Sequence, residues 1–396
     1  MLETNIKLVR ITTVPLSLQK LINGQMKYMG QNGFKVTMIS SDFDGKEALS
    51  SAEHAAFIPI NMTRTITPFA DLKALYKLIK LCRKIKPTIV HTHTPKAGLL
   101  GMLASWIARV PIRLHTVAGL PLMETTGLKR KVLEMVEWLT YACATKVYPN
   151  SKVLKSFILD AKYAKAEKLK VIGDGSSNGI NTQAFKRTAE LDIAGQKLLI
   201  AHQLSETHFT FIFIGRLVRD KGIEELVAAF STLTKKYPQL RLLLVGPEEP
   251  ELDPLSPNCL AEIHNNPSII AVGYQKDVRP YLAISKALVF PSYREGFPNV
   301  PMQAGCFDLP AIVTNINGCN EIIIEKENGL IIPVKDAEAL RNAMECLYLE
   351  QNLYQSMSTK ARKMIVARYE QSVVWSLILA EYELNLKQKG IVRQYS

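Results

Sequence analysis

The stretch from Ala287 to Thr314 constrains the fold more than any other part of the chain. Ala287-Leu-Val-Phe290 is an apolar run too short for a helix, so it reads as a strand buried on both faces, the kind found in parallel sheets. A polar loop, Pro291 to Pro298, follows it, and Pro301 marks the first turn of a helix. Asn299 is placed to cap that helix, whose free N–H groups would face any ligand at the strand's carboxyl end. Strand, loop and helix in this order make the repeating unit of an α/β sheet, and such a helix start suits a phosphate.

With 396 residues, 47% of them apolar and 21% charged, the chain has the composition of a soluble globular protein. It is long enough for two cores of roughly 150 to 200 residues each. No apolar run approaches the ~18 residues of a membrane span; Ala97 to Ala108 comes nearest and is too short. The start, Met1-Leu-Glu-Thr-Asn-Ile-Lys7, has no basic segment followed by an apolar core and a small-residue cleavage site, which predicts a cytoplasmic protein. Six scattered cysteines show no metal-type spacing and read as buried thiols. The net charge of +13 is uneven: residues 1–190 carry 28 Lys and Arg against 13 Asp and Glu, while the remainder carries 21 against 23. A basic first half suits nucleic acid, anionic lipid or a phosphorylated substrate. No zinc pattern or aromatic ribonucleoprotein motif accompanies it, so nucleic acid is not expected.

Taken in order, Ile6 to Thr12 reads as a first strand, Leu18 to Gln31 as a helix and Lys35 to Ser40 as a second strand. The turn between them, Thr13-Val-Pro-Leu-Ser17, lacks glycine, so the fingerprint of a dinucleotide-binding dehydrogenase is absent. Asp71 to Lys86 predicts an amphipathic helix with Leu72, Leu75, Ile79, Cys82 and Ile85 or Leu78 on its core side and Lys73, Lys77, Lys80 and Lys84 on the other. That basic side is either a solvated face or one that rests on anionic lipid. His91 and His93 point to the same side of the following strand; without a third ligand at sensible spacing they read as polar strand-end positions rather than a metal pair. Gly127 to Tyr141 sets three cations, Lys129 to Lys131, before Val132, Leu133, Met135 and Trp138, a second candidate for a bilayer surface or a core helix. Gly173 to Ile180 is the densest glycine stretch and predicts a domain boundary near residue 180.

Beyond that boundary, Phe209 to Gly215 predicts a strand and Arg216-Leu-Val-Arg-Asp-Lys-Gly222 a connection into a helix from Ile223. Arg216 and Lys221 lie five positions apart there and can reach over one helix start, an arrangement that suits a diphosphate. Glu295-Gly-Phe297, Gln303 eight positions after the glutamate, Leu309-Pro-Ala-Ile-Val-Thr314 and Asn320-Glu-Ile-Ile323 together resemble the C-terminal signature of retaining GT-B glycosyltransferases of family 4. These enzymes build capsules, O-antigens and related glycans. Gln303 stands where the usual form carries a second glutamate, and the family's common Gly-Gly turn is missing after the first strand.

The resemblance implies two Rossmann-like domains facing across a cleft: an acceptor domain over 1–180, joined by a returning C-terminal helix from about residue 371, and a nucleotide-sugar domain over 181–370. It implies that His115, at a strand end, points toward the donor sugar. Arg216 and Lys221 would hold the donor's diphosphate, and Glu295 would sit near the sugar hydroxyls and the reacting carbon. Gly215, Gly246, Pro247, Gly296, Phe297, Pro298, Asn299 and Val300 would line the donor, Gln303 would take the ribose, and Tyr274 would either stack on the base or cover the domain edge. The implied reaction moves a sugar from a nucleotide sugar, UDP-linked by family frequency, to a polyprenyl-diphosphate-linked or other glycan acceptor, with an anionic membrane surface as partner. Two cations and a helix start can stabilise the leaving diphosphate, and no Asp-x-Asp of the metal-dependent transferase fold is present, so no metal or other cofactor is expected. The rival readings are a sugar-nucleotide epimerase of the same fold and a non-catalytic scaffold with a vestigial donor site.

Overall fold

The computed structural model describes residues 6–120, 122, 125–249, 251 and 253–391. The chain divides into two compact units, one of Met1–Gly179 with Gln371–Ser396 and the other of Ile180–Glu370. Each contains a six-stranded, all-parallel sheet.

In the first unit the strands are β1 (Lys7–Ile11), β2 (Lys35–Ser40), β3 (Ala56–Pro59), β4 (Ile89–His93), β5 (Ile112–Val117) and β6 (Lys146–Pro149), in the spatial order 3-2-1-4-5-6. Side chains alternate between the faces, so Val9, Ile11, Val90 and Val147 enter one core while Leu8, Ile89, Leu114 and Tyr148 enter another. The first face is covered by the helices Pro68–Ile85, Pro95–Ile107 and Gly127–Cys143. Against the second lies the C-terminal helix Gln371–Gln388, which buries Val374, Ile378, Tyr382 and Leu386.

In the second unit β7 (Phe209–Ile214), β8 (Leu240–Val245), β9 (Ile269–Ala271), β10 (Ala287–Phe290), β11 (Ala311–Thr314) and β12 (Gly329–Ile332) repeat that order as 12-11-10-7-8-9. All residues of β7, β10 and β11 are buried, which is why they are apolar without alternation. The order reverses between β7 and β10, neighbours that each lead away in opposite directions, and ligands of open α/β sheets bind beyond the carboxyl ends at such a point.

Two local expectations are corrected. The single helix read over Leu18 to Gln31 is two, Pro15–Leu21 and Gln25–Gln31, broken where Gly24 takes a left-handed φ of 84°. The helix Pro68–Ile85 buries Ala74, Leu78 and Cys82, whereas Leu72, assigned to its core side, is exposed. The strand β3 and the helix Lys46–Glu53 before it carry no strong signal, because β3 is a four-residue edge strand whose side chains are only partly covered.

Candidate active site

The carboxyl ends of β7 and β10 carry the loops singled out in the sequence. After β7 the chain makes one turn of 3-10 helix, Arg219–Lys221, before the helix Ile223–Thr234. Gly222 joins them with φ 70°, and a Cβ there would lie 2.2 Å from the carbonyl oxygen of Pro291. Glycine alone permits both that backbone angle and that approach, so it locks the β7 loop against the β10 loop. Two further contacts fix the same junction: Tyr293 N–H donates to the Asp220 carbonyl at 2.9 Å, and Arg294 pairs with the Asp220 carboxylate at 3.0 Å.

Across this junction Lys221 Nζ donates to Glu295 Oε1 at 2.6 Å, with side-chain exposures of 14% and 18%. Lys221 also reaches Ser292 Oγ at 3.4 Å. Asn317 Nδ2 donates to the carbonyls of Glu295, at 3.2 Å, and of Gly296, holding the loop from the β11 side. Cys319, buried beside them, has its thiol pushed well up, first by burial and then by the Glu295 carboxylate, which leaves it unreactive.

Arg216 takes a different partner. Its Nη1 donates to Glu249 Oε2 at 2.9 Å, past the end of β8, where Leu217 N–H donates to the Pro247 carbonyl at 2.8 Å. The strand ends are laced together there: Gly215 N–H donates to the Val245 carbonyl and Gly246 N–H to the Gly273 carbonyl, each at 2.9 Å. Tyr274 follows directly and is 74% exposed. The site residues from Gly215 to Pro298 therefore sit on connections at one edge of one sheet, with Lys221 and Glu295 in contact and each cation neutralised by a carboxylate.

Two site expectations are corrected. Asn299 does not cap the helix Asn299–Gly305; the cap position is Pro298, and Asn299 is the first helical residue with no capping bond from its side chain. Val300 and Gln303 lie within that helix, partly covered, behind Phe297 in the loop. His115 is not at a strand end. It lies inside β5, 2% exposed, with Nδ1 hydrogen-bonded to Thr92 Oγ1 at 2.8 Å and its ring under Gly98, where a Cβ would come within 2.4 Å. Burial pulls its pKa down to about 4, so the imidazole is neutral at pH 7. His91 and His93 are likewise buried, and His91 bonds to Tyr382 and Thr116. Among the described residues no group of three or more His, Cys, Asp or Glu gathers as a metal site.

Sequence reasoning missed Ser292, Glu249 and Asn317 as parts of this edge. Asn317-Gly318 carried a turn signal and Glu249 follows the Gly246-Pro247 turn, but neither signal says which loop the side chain will meet.

The family model for group 1 glycosyl transferases matches residues 196–364, and the model described as glycosyl transferase 4-like matches residues 18–151. Over 385 residues the chain is 34% identical to the capsular polysaccharide biosynthesis glycosyltransferase CapM of Staphylococcus aureus, covering 97% of this chain and 98% of that one. The chain is a group 1 glycosyltransferase. It is also 27% identical over 373 residues to the UDP-Gal:alpha-D-GlcNAc-diphosphoundecaprenol alpha-1,3-galactosyltransferase of Escherichia coli, with 92% and 93% of the two chains covered. The structure of Anabaena HepE in complex with UDP and glucose superposes with a TM-score of 0.75 at 16% identity, over 96% of this chain and all of that one. This likeness fixes the fold as GT-B. In this glycosyltransferase the group 1 match contains both loops that meet at Lys221 and Glu295, and the 4-like match contains β2 to β6.

Proposed function

We propose that the glycosyltransferase transfers a sugar from a UDP-linked donor to a polyprenyl-diphosphate-linked glycan, with retention of anomeric configuration and without a metal ion. The observation that carries this reading is the Lys221–Glu295 ion pair at the ends of adjacent strands, inside the part matched by the group 1 family. The E. coli relative, named for a UDP-galactose donor and a diphosphoundecaprenol-linked acceptor, supports both substrate classes.

Breaking the anomeric C–O bond leaves negative charge on the diphosphate. In the free protein Lys221 and Arg216 are matched by Glu295 and Glu249; an arriving diphosphate competes for both cations and places them where the charge grows. Glu295, released from Lys221, is then free to take the donor sugar's hydroxyls. The acceptor hydroxyl attacks from the face the diphosphate leaves, its proton passing to the departing phosphate oxygen. Tyr274 is exposed enough to stack on the base, and Gln303 accepts from the ribose as a neutral group.

The acceptor is lipid-linked, so the first unit needs a face for the membrane. No helix among the described residues is long and apolar enough to cross one. On the helix Pro68–Ile85, however, Phe69 is 90% exposed, and Leu72 and Tyr76 are exposed with it, beside the exposed cations Lys73, Lys80 and Arg83. The helix Gly127–Cys143 exposes Leu128, Lys131, Met135 and Trp138 at helical spacing. Apolar side chains interleaved with cations suit the interface of an anionic bilayer on the cytoplasmic side.

The test is transfer of labelled sugar from a panel of UDP-sugars to undecaprenyl-diphosphate-linked acceptors, with an acceptor-free arm. Product in the presence of acceptor, lost in Lys221→Ala, is expected. Conversion of the UDP-sugar to an epimer without acceptor would replace the reading with the isomerase one.

A further inference from the structure

The carboxylate that faces Arg216 is held there by more than its own ion pair, and the transfer chemistry gives it no task. Glu249 stands in the segment from Pro247 to Asp253, which carries four carboxylates, Glu248, Glu249, Glu251 and Asp253, and no cation. That is the wrong sign of charge for a segment beside a diphosphate. The segment is fastened to the β7 loop on both sides of Glu249. On one side Gly246 approaches so closely that a Cβ there would lie 1.8 Å from the Gly215 carbonyl oxygen. Leu217 N–H donates to the Pro247 carbonyl at 2.8 Å, and Leu217 forms an isolated parallel bridge with Glu248. On the other side Arg219 N–H donates to the Asp253 carbonyl at 3.3 Å and Asp220 N–H to Asp253 Oδ2 at 2.8 Å. Between these anchors Glu249 accepts from Arg216 Nη1, the one group it bonds among the described residues.

The two ion pairs of this edge are unequal. Lys221 and Glu295 are largely covered, whereas the side chains of Arg216 and Glu249 are 40% and 34% exposed. An exposed pair shifts an equilibrium by no more than about five-fold, so a diphosphate can displace Glu249 and Glu249 can return when the diphosphate leaves. Glu295, once released, has the donor sugar to hold. Glu249 has no such partner, and the anchors on either side keep it beside the polyanion. We propose that Glu249 is a built-in competitor for Arg216: it weakens the hold of the site on nucleoside diphosphates and recaptures Arg216 as the spent UDP departs, a step that limits turnover in many transferring enzymes. The assignment rests on the donor reading and adds to it a residue that acts against the ligand, setting affinity without touching the sugar.

The test is binding of UDP by calorimetry and of uridine by ligand-observed NMR, both to the full chain. Glu249→Gln keeps the size of the side chain and removes its charge. It should bind UDP about two- to five-fold more tightly than the wild type and uridine equally well. A purely structural role would weaken both ligands, so a gain confined to the diphosphate separates the two. In the Arg216→Ala background the same substitution should bring a smaller gain, because the competitor and the group it competes for are then both gone. UDP affinity that is unchanged or reduced in Glu249→Gln, or a gain of full size without Arg216, overturns the assignment. A loss shared by UDP and uridine overturns it in favour of Glu249 as a ribose ligand. Wild-type protein that binds no UDP would end the donor reading and this assignment together, whereas UDP binding that Glu249→Gln leaves unaltered ends this assignment alone.

Discussion

Lys221 is the residue on which the donor reading turns, since it bridges the β7 loop to Glu295. Removing a preorganised charge that stabilises a developing anion costs about 10²- to 10³-fold in rate, so Lys221→Ala should lower kcat/KM by that factor in the transfer assay. Gln303 makes the opposite kind of prediction. A charged acceptor bonds a hydroxyl more strongly than a neutral one by about 1 kcal/mol, so Gln303→Glu should tighten UDP binding several-fold by calorimetry; unchanged affinity would take Gln303 out of the ribose site. Glu137 offers a test of burial alone. Packed 4% exposed in the helix Gly127–Cys143, its carboxyl is pushed up to about 7 by burial. The folded pKa exceeds the unfolded one, so the protein loses stability as pH rises from about 4.5 through 7, by up to about 3 kcal/mol. Glu137→Gln should therefore raise Tm at pH 8 and change it little at pH 4.5.

At the scale of elements, the strands were the most legible features because each is a short apolar run closed by a polar turn. β2 and β10 coincide with their sequence readings residue for residue. Two helices are capped by side chains that make the bond themselves: Ser151 accepts from Leu154 N–H at 3.1 Å and Asp336 from Ala339 N–H at 2.8 Å. Each should contribute about 1 kcal/mol, so Ser151→Ala should lower Tm by about 2 to 4 °C. The Asn299 cap failed because Pro298 already holds the extended cap position, which moves asparagine one step into the helix. Helix faces were harder to read. In Pro68–Ile85 the sequence offers more apolar residues than one core stripe can bury, and packing against the neighbouring helix selects Ala74, Leu78 and Cys82. The surplus, Phe69, Leu72 and Tyr76, remains exposed, and this is the face proposed for the membrane. Replacing Phe69 and Trp138 with serine should reduce flotation with anionic vesicles. Reversing Lys73 and Lys80 to glutamate should abolish the salt-sensitive part of binding, and undiminished flotation in both would move the membrane face elsewhere.

For the molecule as a whole, acid stability follows from its buried histidines. His91, His93 and His115 are neutral when folded, with His115 titrating at about 4, while the unfolded chain takes up their protons near 6.5. Their contribution is complete above pH 6.5 and is lost as pH falls toward 4, and three such groups outweigh the opposite trend of Glu137. Tm should drop between pH 7 and pH 5, with histidine ring ¹⁵N shifts of these residues unchanged down to pH 5.5. Sequence by itself determined the α/β class, the basic first half and the family, because buried strands, turns and charges are written in local order. The pairing of Lys221 with Glu295 and of Arg216 with Glu249, the placing of His115 under Gly98 and the gathering of Arg10 with Tyr382 join residues separated by tens to hundreds of positions. Sheet order and helix packing decide such meetings, and no local signal carries them.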